Sequence, residues 1–302
     1  MTAHAFGKVI LLGEHSVVHG RPALAAAVSP GVDAEATPSA TDDGLALDVS
    51  PWDCRFRPAD GSDLGRALGA LGAALGVTSG HVRATVHLPG GGGMGSSAAL
   101  GVATARALAD LHGLALPVEA LLAAALAWER VFHGNPSGVD HTLAALGGVG
   151  VYTRAHGLAP VPLRGALRLL LADSGERART VDMVSGVARL HQRRPETTER
   201  TFDAIAALVR NAELALAAGD LRALGEFMNL NQALLAALMV STERLEALCA
   251  AARTAGALGA KLTGAGGGGC VLALADTPEG ESRVLSAWEA LGATAFVTEV
   301  GA

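Results

Sequence analysis

A glycine-rich segment between a predicted strand and a predicted helix constrains the fold of this chain more than any other feature. Residues 89–100 read Pro-Gly-Gly-Gly-Gly-Met-Gly-Ser-Ser-Ala-Ala-Leu. Residues 81–88 alternate apolar and polar side chains, as a half-buried strand does, and residues 96–112 have the alanine- and leucine-rich pattern of a helix. Glycine lets the backbone approach a ligand closely, and a helix N-terminus presents unpaired N–H groups. The segment therefore predicts an anion site, most simply for a nucleotide phosphate.

Two familiar nucleotide motifs explain this segment poorly. Gly90, Gly92 and Gly95 satisfy the pattern G-x-G-x-x-G, but any run of glycines satisfies it easily. The acid expected about twenty residues later should end a second strand, whereas that position falls near Asp110 inside the predicted helix. The P-loop pattern is absent. A structural turn with Ser96 as the helix N-cap stays open as the alternative to phosphate binding.

The composition indicates a globular protein with a large aliphatic core. Hydrophobic residues make up 50% of the 302 positions but aromatic residues only 3%, so alanine and leucine must supply most of the buried surface. The formal charge of −6 gives no electrostatic reason to expect nucleic acid or an anionic membrane as a partner. The three isolated cysteines, the absence of a signal-peptide pattern and the short apolar runs predict a soluble cytoplasmic protein.

Hydrophobic periodicity predicts an α/β protein with two domains, a strand-rich one over 1–162 and a helix-rich one over 163–302. The predicted strands cover residues 4–12, 23–28, 31–39, 45–50, 81–88, a short segment from Gly148 to about Tyr152, 167–173, 258–262, 270–275 and 294–300. The predicted helices cover residues 63–75, 96–112, 117–132, 178–191, 196–218, 220–239, 243–255 and 279–291. A polar segment over 153–165 is the predicted hinge.

Two acidic residues outside the glycine segment are candidates for chemistry. Asp140 follows Ser137 at the spacing of a capping box, so it either stabilises a helix start or acts as a catalytic base, and the two roles are compatible. Glu129 lies late in an apolar helix, where it opposes the helix dipole and points away from the adjacent Arg130. This placement favours a role beside a metal or phosphate, with a surface carboxylate as the alternative.

A lysine and a second glycine segment complete the candidates. Lys8 enters an apolar strand, where its ammonium either lies at the strand edge or faces an active cleft. Glu14 and His15 follow at the end of that strand, where α/β proteins tend to bind ligands. Residues 261–270 contain a run of glycines ahead of another apolar strand. A flexible hairpin is the alternative there, but two such segments favour a ligand held from two sides.

Together these segments resemble the GHMP family of small-molecule kinases, and within it the branch that phosphorylates mevalonate. Three motifs of the family occur in order, at residues 7–20, 89–99 and 261–270, and residues 133–140 resemble the segment that holds its catalytic aspartate. The resemblance implies a two-domain α/β fold, with an S5-domain-2-like N-terminal domain, a helix-rich C-terminal domain and the active site in the cleft between them. It also implies Mg²⁺-dependent transfer of the ATP γ-phosphoryl group to the C5 hydroxyl of (R)-mevalonate.

The resemblance implies a role for each candidate residue. Asp140 is expected to be the base toward the substrate hydroxyl, with Lys8 beside it, and Ser96 and Glu129 are expected to hold Mg²⁺. The residues expected to wrap the triphosphate are Gly90, Gly91, Gly92, Gly93, Met94, Gly95, Ser96 and Ser97. Those expected on the mevalonate side are Glu14, His15, Ser137 and Thr180, and the third-motif loop consists of Gly264, Ala265, Gly266 and Gly267.

A few positions depart from the family pattern, and several alternatives stay open. Gly90 and Gly92 replace bulkier residues, and Ala178 stands where an arginine is common, although Arg177 and Arg179 flank it. Phosphomevalonate kinase or another small-alcohol kinase is the alternative within the fold. A non-catalytic sensor of ATP and a metabolite is the alternative from a different class. A homodimer is expected only by analogy.

Overall fold

Strands and alanine-rich helices alternate along the chain, and the computed structural model describes them over residues 2–39, 44–90, 92–133 and 136–300. The strands are β1 Ala3–Leu12, β2 Ala23–Thr37, β3 Leu45–Ser50, β4 Cys54–Phe56, β5 Gly80–Val86, β6 Val149–Thr153, β7 Gly157–Pro160, β8 Leu167–Asp173, β9 Gly259–Thr263, β10 Cys270–Leu274 and β11 Thr294–Val300. The helices are α1 Asp63–Leu75, α2 Ser96–Leu111, α3 Val118–His133, α4 Val139–Leu146, α5 Thr180–Arg193, α6 Pro195–Ala218, α7 Leu221–Ala237, α8 Glu243–Thr254 and α9 Pro278–Ala290. The α/β class is confirmed.

The chain divides into two units, neither of which is a continuous stretch of sequence. The first unit comprises Met1–Gly7, Pro30–Leu88 and Gly95–Gly147, and the second comprises Lys8–Ser29, Pro89–Met94 and Gly148–Ala302. The first two motifs are therefore split between the units, with Lys8 and the loop 89–94 in the second one. The predicted domain boundary at residues 162 and 163 stays a prediction.

Among the described residues, the strands form a seven-stranded and a four-stranded sheet. The larger one has the order β4-β3-β5-β2-β6-β7, with β1 paired to β2, and the smaller one has the order β11-β8-β10-β9. The β3–β5 pair is parallel. In the smaller sheet each neighbouring pair is antiparallel, and Asp173, Cys270 and Thr263 lie opposite one another where β8, β10 and β9 meet. These three residues form a row across one end of the smaller sheet.

The predicted break between strands 23–28 and 31–39 is wrong, because β2 continues through Pro30. Residues Ala23–Ala26 of β2 pair with β6, whereas residues Val32–Thr37 pair with β5. Pro30 therefore falls between the β6 and β5 ladders and interrupts neither of them. The short strands β4 and β7 were missed by the sequence prediction, and β7 occupies part of the predicted hinge.

Each predicted helix is confirmed, with ends that differ by two residues or fewer from the structure. The core of the second unit is mainly aliphatic, with buried residues from β8, β9 and β10, and it also contains the aromatic side chains of Trp288 and Phe202. In the first unit, α2 is buried along almost its whole length and packs against α3 and α4. None of the helices in the described ranges is both long enough and apolar enough to cross a membrane.

Candidate active site

The second unit brings together segments of all three sequence motifs. The backbone N–H of Lys8 donates to the carbonyl of Met94, at 2.9 Å, and the N–H of Cys270 donates to the carbonyl of Gly92, at 3.2 Å. The loop 89–94 is thus fixed between β1 and the start of β10 by backbone hydrogen bonds. The described segments of the three motifs thus lie together in this unit, while Gly91 lies outside the described residues. That the two glycine segments hold a ligand between them stays a prediction.

Two glycines in these loops are required by contact between the loops themselves. Gly93 has a φ of +74°, and a Cβ atom there would lie 3.1 Å from the carbonyl oxygen of Thr263. Gly264 has a φ of +88°, and its Cβ atom would lie 3.1 Å from the carbonyl oxygen of Gly93. Any side chain would strain both backbones and separate the loops. Close packing of motif on motif therefore accounts for these two glycines without reference to a ligand.

Glu14 forms a buried ion pair with Lys261, the first residue of the third motif. The ammonium group of Lys261 donates to Glu14 Oε1 and to the carbonyl of Leu262, and Asn231 Nδ2 donates to Glu14 Oε2 at 3.1 Å. Burial raises the pKa of Glu14 and lowers the pKa of Lys261, while their mutual attraction opposes both shifts. The Lys8 ammonium acts on the same pair, lowering the pKa of both groups, so the three charges form one cluster.

His15 is held in an unusual backbone conformation beside the third-motif loop. Its φ is +61°, in the left-handed region that few non-glycine residues adopt. The ring nitrogen Nε2 lies 2.9 Å from the carbonyl oxygen of Ala265, and burial lowers the pKa of the imidazole. A neutral ring would have to be the tautomer that carries its proton on Nε2 in order to donate to this carbonyl.

Thr180 also lies near the third-motif loop. It is the exposed first residue of α5, and a Cβ atom on Gly267 would lie 2.7 Å from Ala178 Cβ and 2.6 Å from the sulfur of Met183. The N-terminal turn of α5 therefore packs directly on this loop. Glu14, His15 and Thr180 stay predictions as substrate-side residues.

In the first unit, the structure pairs Glu129 with Ser97. The hydroxyl of Ser97 donates to Glu129 Oε1 at 2.7 Å, and His133 Nε2 lies 3.7 Å from Oε2 of the same carboxylate. Ser96 is the first residue of α2, and the N-cap is Gly95, with a φ of +72°. The alternative that Ser96 caps this helix is therefore wrong, because its backbone is already helical.

A tight contact between α2 and α3 sets the distance between Ser97 and Glu129. Trp128 Nε1 donates to the carbonyl of Ser97 at 3.0 Å. A Cβ atom on Gly101 would lie 2.7 Å from the indole ring of Trp128, so only glycine permits this approach. Glu129 follows Trp128 near the end of α3, where a carboxylate opposes the helix dipole. This close approach of the two helices brings the carboxylate to the start of α2. The alternative of a surface carboxylate is wrong, because Glu129 is buried.

Asp140 lies in the first turn of α4, also in the first unit. The N-cap of α4 is Gly138, with a φ of +99°, and not Ser137 as the capping box predicts. Asp140 is the acidic residue of that first turn, which agrees with its predicted place at a helix start. The catalytic role of Asp140 and the substrate-side role of Ser137 stay predictions.

Sequence reasoning missed several partners of the predicted residues. Asn231 and Gln232 are polar residues on the buried face of α7, and this interruption of an apolar stripe was the available signal. Thr263 accepts a hydrogen bond from the backbone of Ile10, at 2.9 Å. Over the described ranges, the structure contains no group of three or more histidine, cysteine or acidic side chains that could hold a metal ion.

Similarity to known proteins agrees with the fold and the motifs. The family described as GHMP kinases N terminal domain matches residues 63–148, and the one described as GHMP kinases C terminal matches residues 201–294. Mevalonate kinase of Pyrococcus horikoshii is 37% identical, over 99% of this chain and 95% of the relative. Mevalonate kinase of Aeropyrum pernix is also 37% identical, over 99% and 97%.

Among solved structures, the crystal structure of L. major mevalonate kinase in complex with R-mevalonate superposes with a TM-score of 0.87. It is 32% identical in sequence, and the match covers 99% of this chain and 95% of that one. The family matches, the full-length relatives and the fold all indicate the same family. The chain belongs to the GHMP kinase family, and the relatives named here are its mevalonate kinases.

Proposed function

We propose that the protein is an ATP-dependent mevalonate kinase, which transfers the γ-phosphoryl group to the C5 hydroxyl of (R)-mevalonate. The observation that carries this proposal is the full-length similarity, in sequence and in fold, to a mevalonate kinase solved with R-mevalonate. Family membership makes ATP the phosphoryl donor. The presence of all three motifs, with their loops packed on one another in the second unit, supports the assignment.

The reaction assigns a separate task to each charged residue. An alcohol is too weak an acid for a carboxylate to deprotonate fully beforehand, so its proton leaves as the phosphoryl group moves through a loose transition state. Asp140 orients the C5 hydroxyl and accepts that proton, which contributes about 10²–10⁴-fold to the rate. Lys8 neutralises charge on the transferred group, and the loop 89–97 binds the phosphates through backbone N–H groups.

The residues present fit a magnesium ion. Mg²⁺ prefers oxygen ligands and is commonly bound by one or two carboxylates together with substrate phosphates. Glu129 supplies a buried carboxylate, and the Ser97 hydroxyl hydrogen-bonded to it supplies a second oxygen. We therefore assign Glu129 and Ser97 to the metal, in addition to Ser96. The ion, when bound, neutralises charge on the β- and γ-phosphates.

The substrate is tested by measuring ADP release with mevalonate, phosphomevalonate, homoserine and galactose. We expect turnover with mevalonate and at least about a hundredfold lower kcat/KM with the other three, because each carries polar groups that mevalonate lacks or lacks polar groups that mevalonate has. Turnover with phosphomevalonate as the preferred acceptor would replace the proposal by the phosphomevalonate kinase alternative. ATP binding without ADP release in any mixture would favour a sensor. A cytoplasmic location and a homodimer stay predictions.

The role of Asp140 is tested by the substitution Asp140→Asn. The amide keeps the shape of the side chain but accepts no proton, so we expect kcat to fall by about 10²–10⁴-fold. ATP binding, measured by calorimetry, should change little. Activity equal to that of the wild type would remove Asp140 from the mechanism.

A further inference from the structure

Four consecutive glycines, residues 90–93, lie shortly before α2. A phosphate-binding role requires this run to be held in one conformation. Glycine loses more conformational freedom on ordering than any other residue, so a glycine run must be fixed by contacts from outside itself. Gly90 has few such contacts, since a Cβ atom built there would touch nothing within 4 Å. The side of the loop at Gly90 is therefore not confined by packing.

The loop is fastened to the end of the four-stranded sheet in the second unit. Asp173, Cys270 and Thr263 lie side by side where β8, β10 and β9 meet. Cys270 N–H donates to the carbonyl of Gly92 at 3.2 Å, and the carbonyl of Thr263 lies against Gly93. No described residue of the loop forms a backbone hydrogen bond with Asp173, the first member of the row. Asp173 reaches the loop through an arginine.

Arg177 connects Asp173 to the loop. Its Nη1 and Nη2 atoms donate to the two carboxylate oxygens of Asp173, at 2.7 and 2.6 Å. Its Nε atom donates to the carbonyl of Gly90, at 2.7 Å. Asp173 is itself fixed, because it ends β8 and accepts a hydrogen bond from the N–H of Gly175 at 3.0 Å. The paired carboxylate raises the pKa of Arg177, so the guanidinium stays charged.

The donors of one guanidinium therefore join the end of β8 to Gly90 at the start of the glycine run. A guanidinium is planar and carries donors in fixed directions, so Asp173 determines where Nε points. Lysine could not reproduce this arrangement, because a single ammonium group lacks the fixed fork. The arrangement holds the carbonyl of Gly90 in place, and with it the start of the loop.

We propose that Arg177, held by Asp173, is a positioning residue that orders the loop 89–94 for the phosphates of ATP. That the loop binds the phosphates of ATP rests on the proposed function, whereas the ordering of the loop by Arg177 does not. Ordering the loop in advance removes an entropy cost from nucleotide binding. Loss of Arg177 should therefore weaken ATP binding selectively and leave the acceptor alcohol unaffected.

Two measurements on Arg177→Ala, Arg177→Lys and Asp173→Asn test the proposal. The first is hydrogen exchange of the peptide that covers residues 89–94, with no substrate present. The second is steady-state kinetics with ATP and mevalonate varied separately. We expect faster loop exchange and an approximately tenfold higher KM for ATP in Arg177→Ala, as for loss of one charge-assisted hydrogen bond. The KM for mevalonate and kcat should change by less than about twofold. Arg177→Lys and Asp173→Asn should show smaller changes of the same kind.

Arg168→Ala is the matched control. Arg168 lies on β8, the strand that ends at Asp173. It forms an equivalent two-point ion pair with Glu281, at 2.8 and 2.7 Å, and has no described hydrogen bond to the loop. Its loss should leave loop exchange and both KM values unchanged. Unchanged loop exchange in Arg177→Ala would overturn the proposal, as would an equal rise of both KM values. If the wild-type protein fails to phosphorylate mevalonate, the proposed function fails, while the exchange measurement still tests the loop.

Discussion

Two buried glutamates, one in each unit, differ in what surrounds them. Both side chains belong to residues that are 1% exposed. Glu14 in the second unit is bound by the ammonium of Lys261 and the amide of Asn231. Glu129 in the first unit accepts a hydrogen bond from the neutral hydroxyl of Ser97 and lies 3.7 Å from His133. Two equally buried carboxylates thus have hydrogen-bond donors of different kinds, an ammonium and an amide for Glu14 and a hydroxyl for Glu129.

We propose different roles for the two carboxylates. A buried charge must be compensated, and Lys261 provides that compensation for Glu14 inside the protein. Glu129 lies beside a hydroxyl at the start of α2, where the glycine loop ends. Hydroxyl and carboxylate oxygens side by side are suitable ligands for Mg²⁺. We therefore interpret Glu14 as an organiser of the three motifs and Glu129 as a metal-side residue.

The largest effect is expected from Lys261→Met, which removes the ammonium group that is hydrogen-bonded to the buried Glu14. Breaking a buried ion pair in this way costs about 3–5 kcal/mol. Chemical denaturation should therefore show a loss of this size in the free energy of unfolding. The double variant Glu14→Gln/Lys261→Met contains neither charge and should recover much of the loss. A loss below about 1 kcal/mol in Lys261→Met would contradict the structural role of the pair.

A smaller loss of stability is expected from Gly101→Ala, which changes the contact between α2 and α3 beside Glu129. The new methyl group would lie 2.7 Å from the ring of Trp128, so α2 and α3 must move apart. Overpacking of this kind costs about 1–3 kcal/mol in the free energy of unfolding. The same change should raise the Mg²⁺ concentration needed for half-maximal rate.

Gly186→Ala in α5 is the control for that substitution. It is also a glycine inside a helix, but a Cβ atom there would approach only the end of Arg189, at 3.8 Å. Because alanine is the better helix former, this variant should be more stable than the wild type by about 0.5–1 kcal/mol. Equal effects at the two positions would contradict the assigned contact between Gly101 and Trp128.

The smallest effect is expected from the two serines at the start of α2, and it distinguishes their roles toward the metal. Loss of the hydroxyl that binds Glu129 removes one hydrogen bond to a charged group and one metal oxygen, so Ser97→Ala should raise the half-maximal Mg²⁺ concentration about threefold to tenfold. The measurement is initial rate against free Mg²⁺ at saturating ATP. Ser96→Ala is the matched variant, and we expect a smaller shift from it. A shift confined to Ser96→Ala would assign the metal to the first serine instead.

The fold was largely predictable because helical periodicity and loop glycines are local signals. All predicted helices occur, and the segment 89–100 does connect β5 to α2. The continuity of β2 through Pro30 was not predictable, because it depends on two different partner strands that pair on either side of the proline. Short strands such as β4 carry too few residues for a periodic pattern to be recognised.

The candidate site was predictable as a set of residues but not as a set of contacts. The sequence identified Glu14 and Glu129, yet their partners Lys261 and Ser97 lie 247 and 32 residues away along the chain. Pairing over such separations depends on tertiary packing, as in the contact of Gly101 with Trp128. The bridge from Asp173 through Arg177 to Gly90 likewise requires the register of three strands.

The most direct test of this account compares Glu129→Gln with Glu14→Gln in their dependence on free Mg²⁺, at saturating ATP and mevalonate. Each substitution removes one buried charge and keeps the size of the side chain. The account predicts that Glu129→Gln raises the half-maximal Mg²⁺ concentration by at least about tenfold, whereas Glu14→Gln leaves it within about twofold of the wild-type value. An unchanged Mg²⁺ dependence in Glu129→Gln, or an equal shift in both variants, would contradict it.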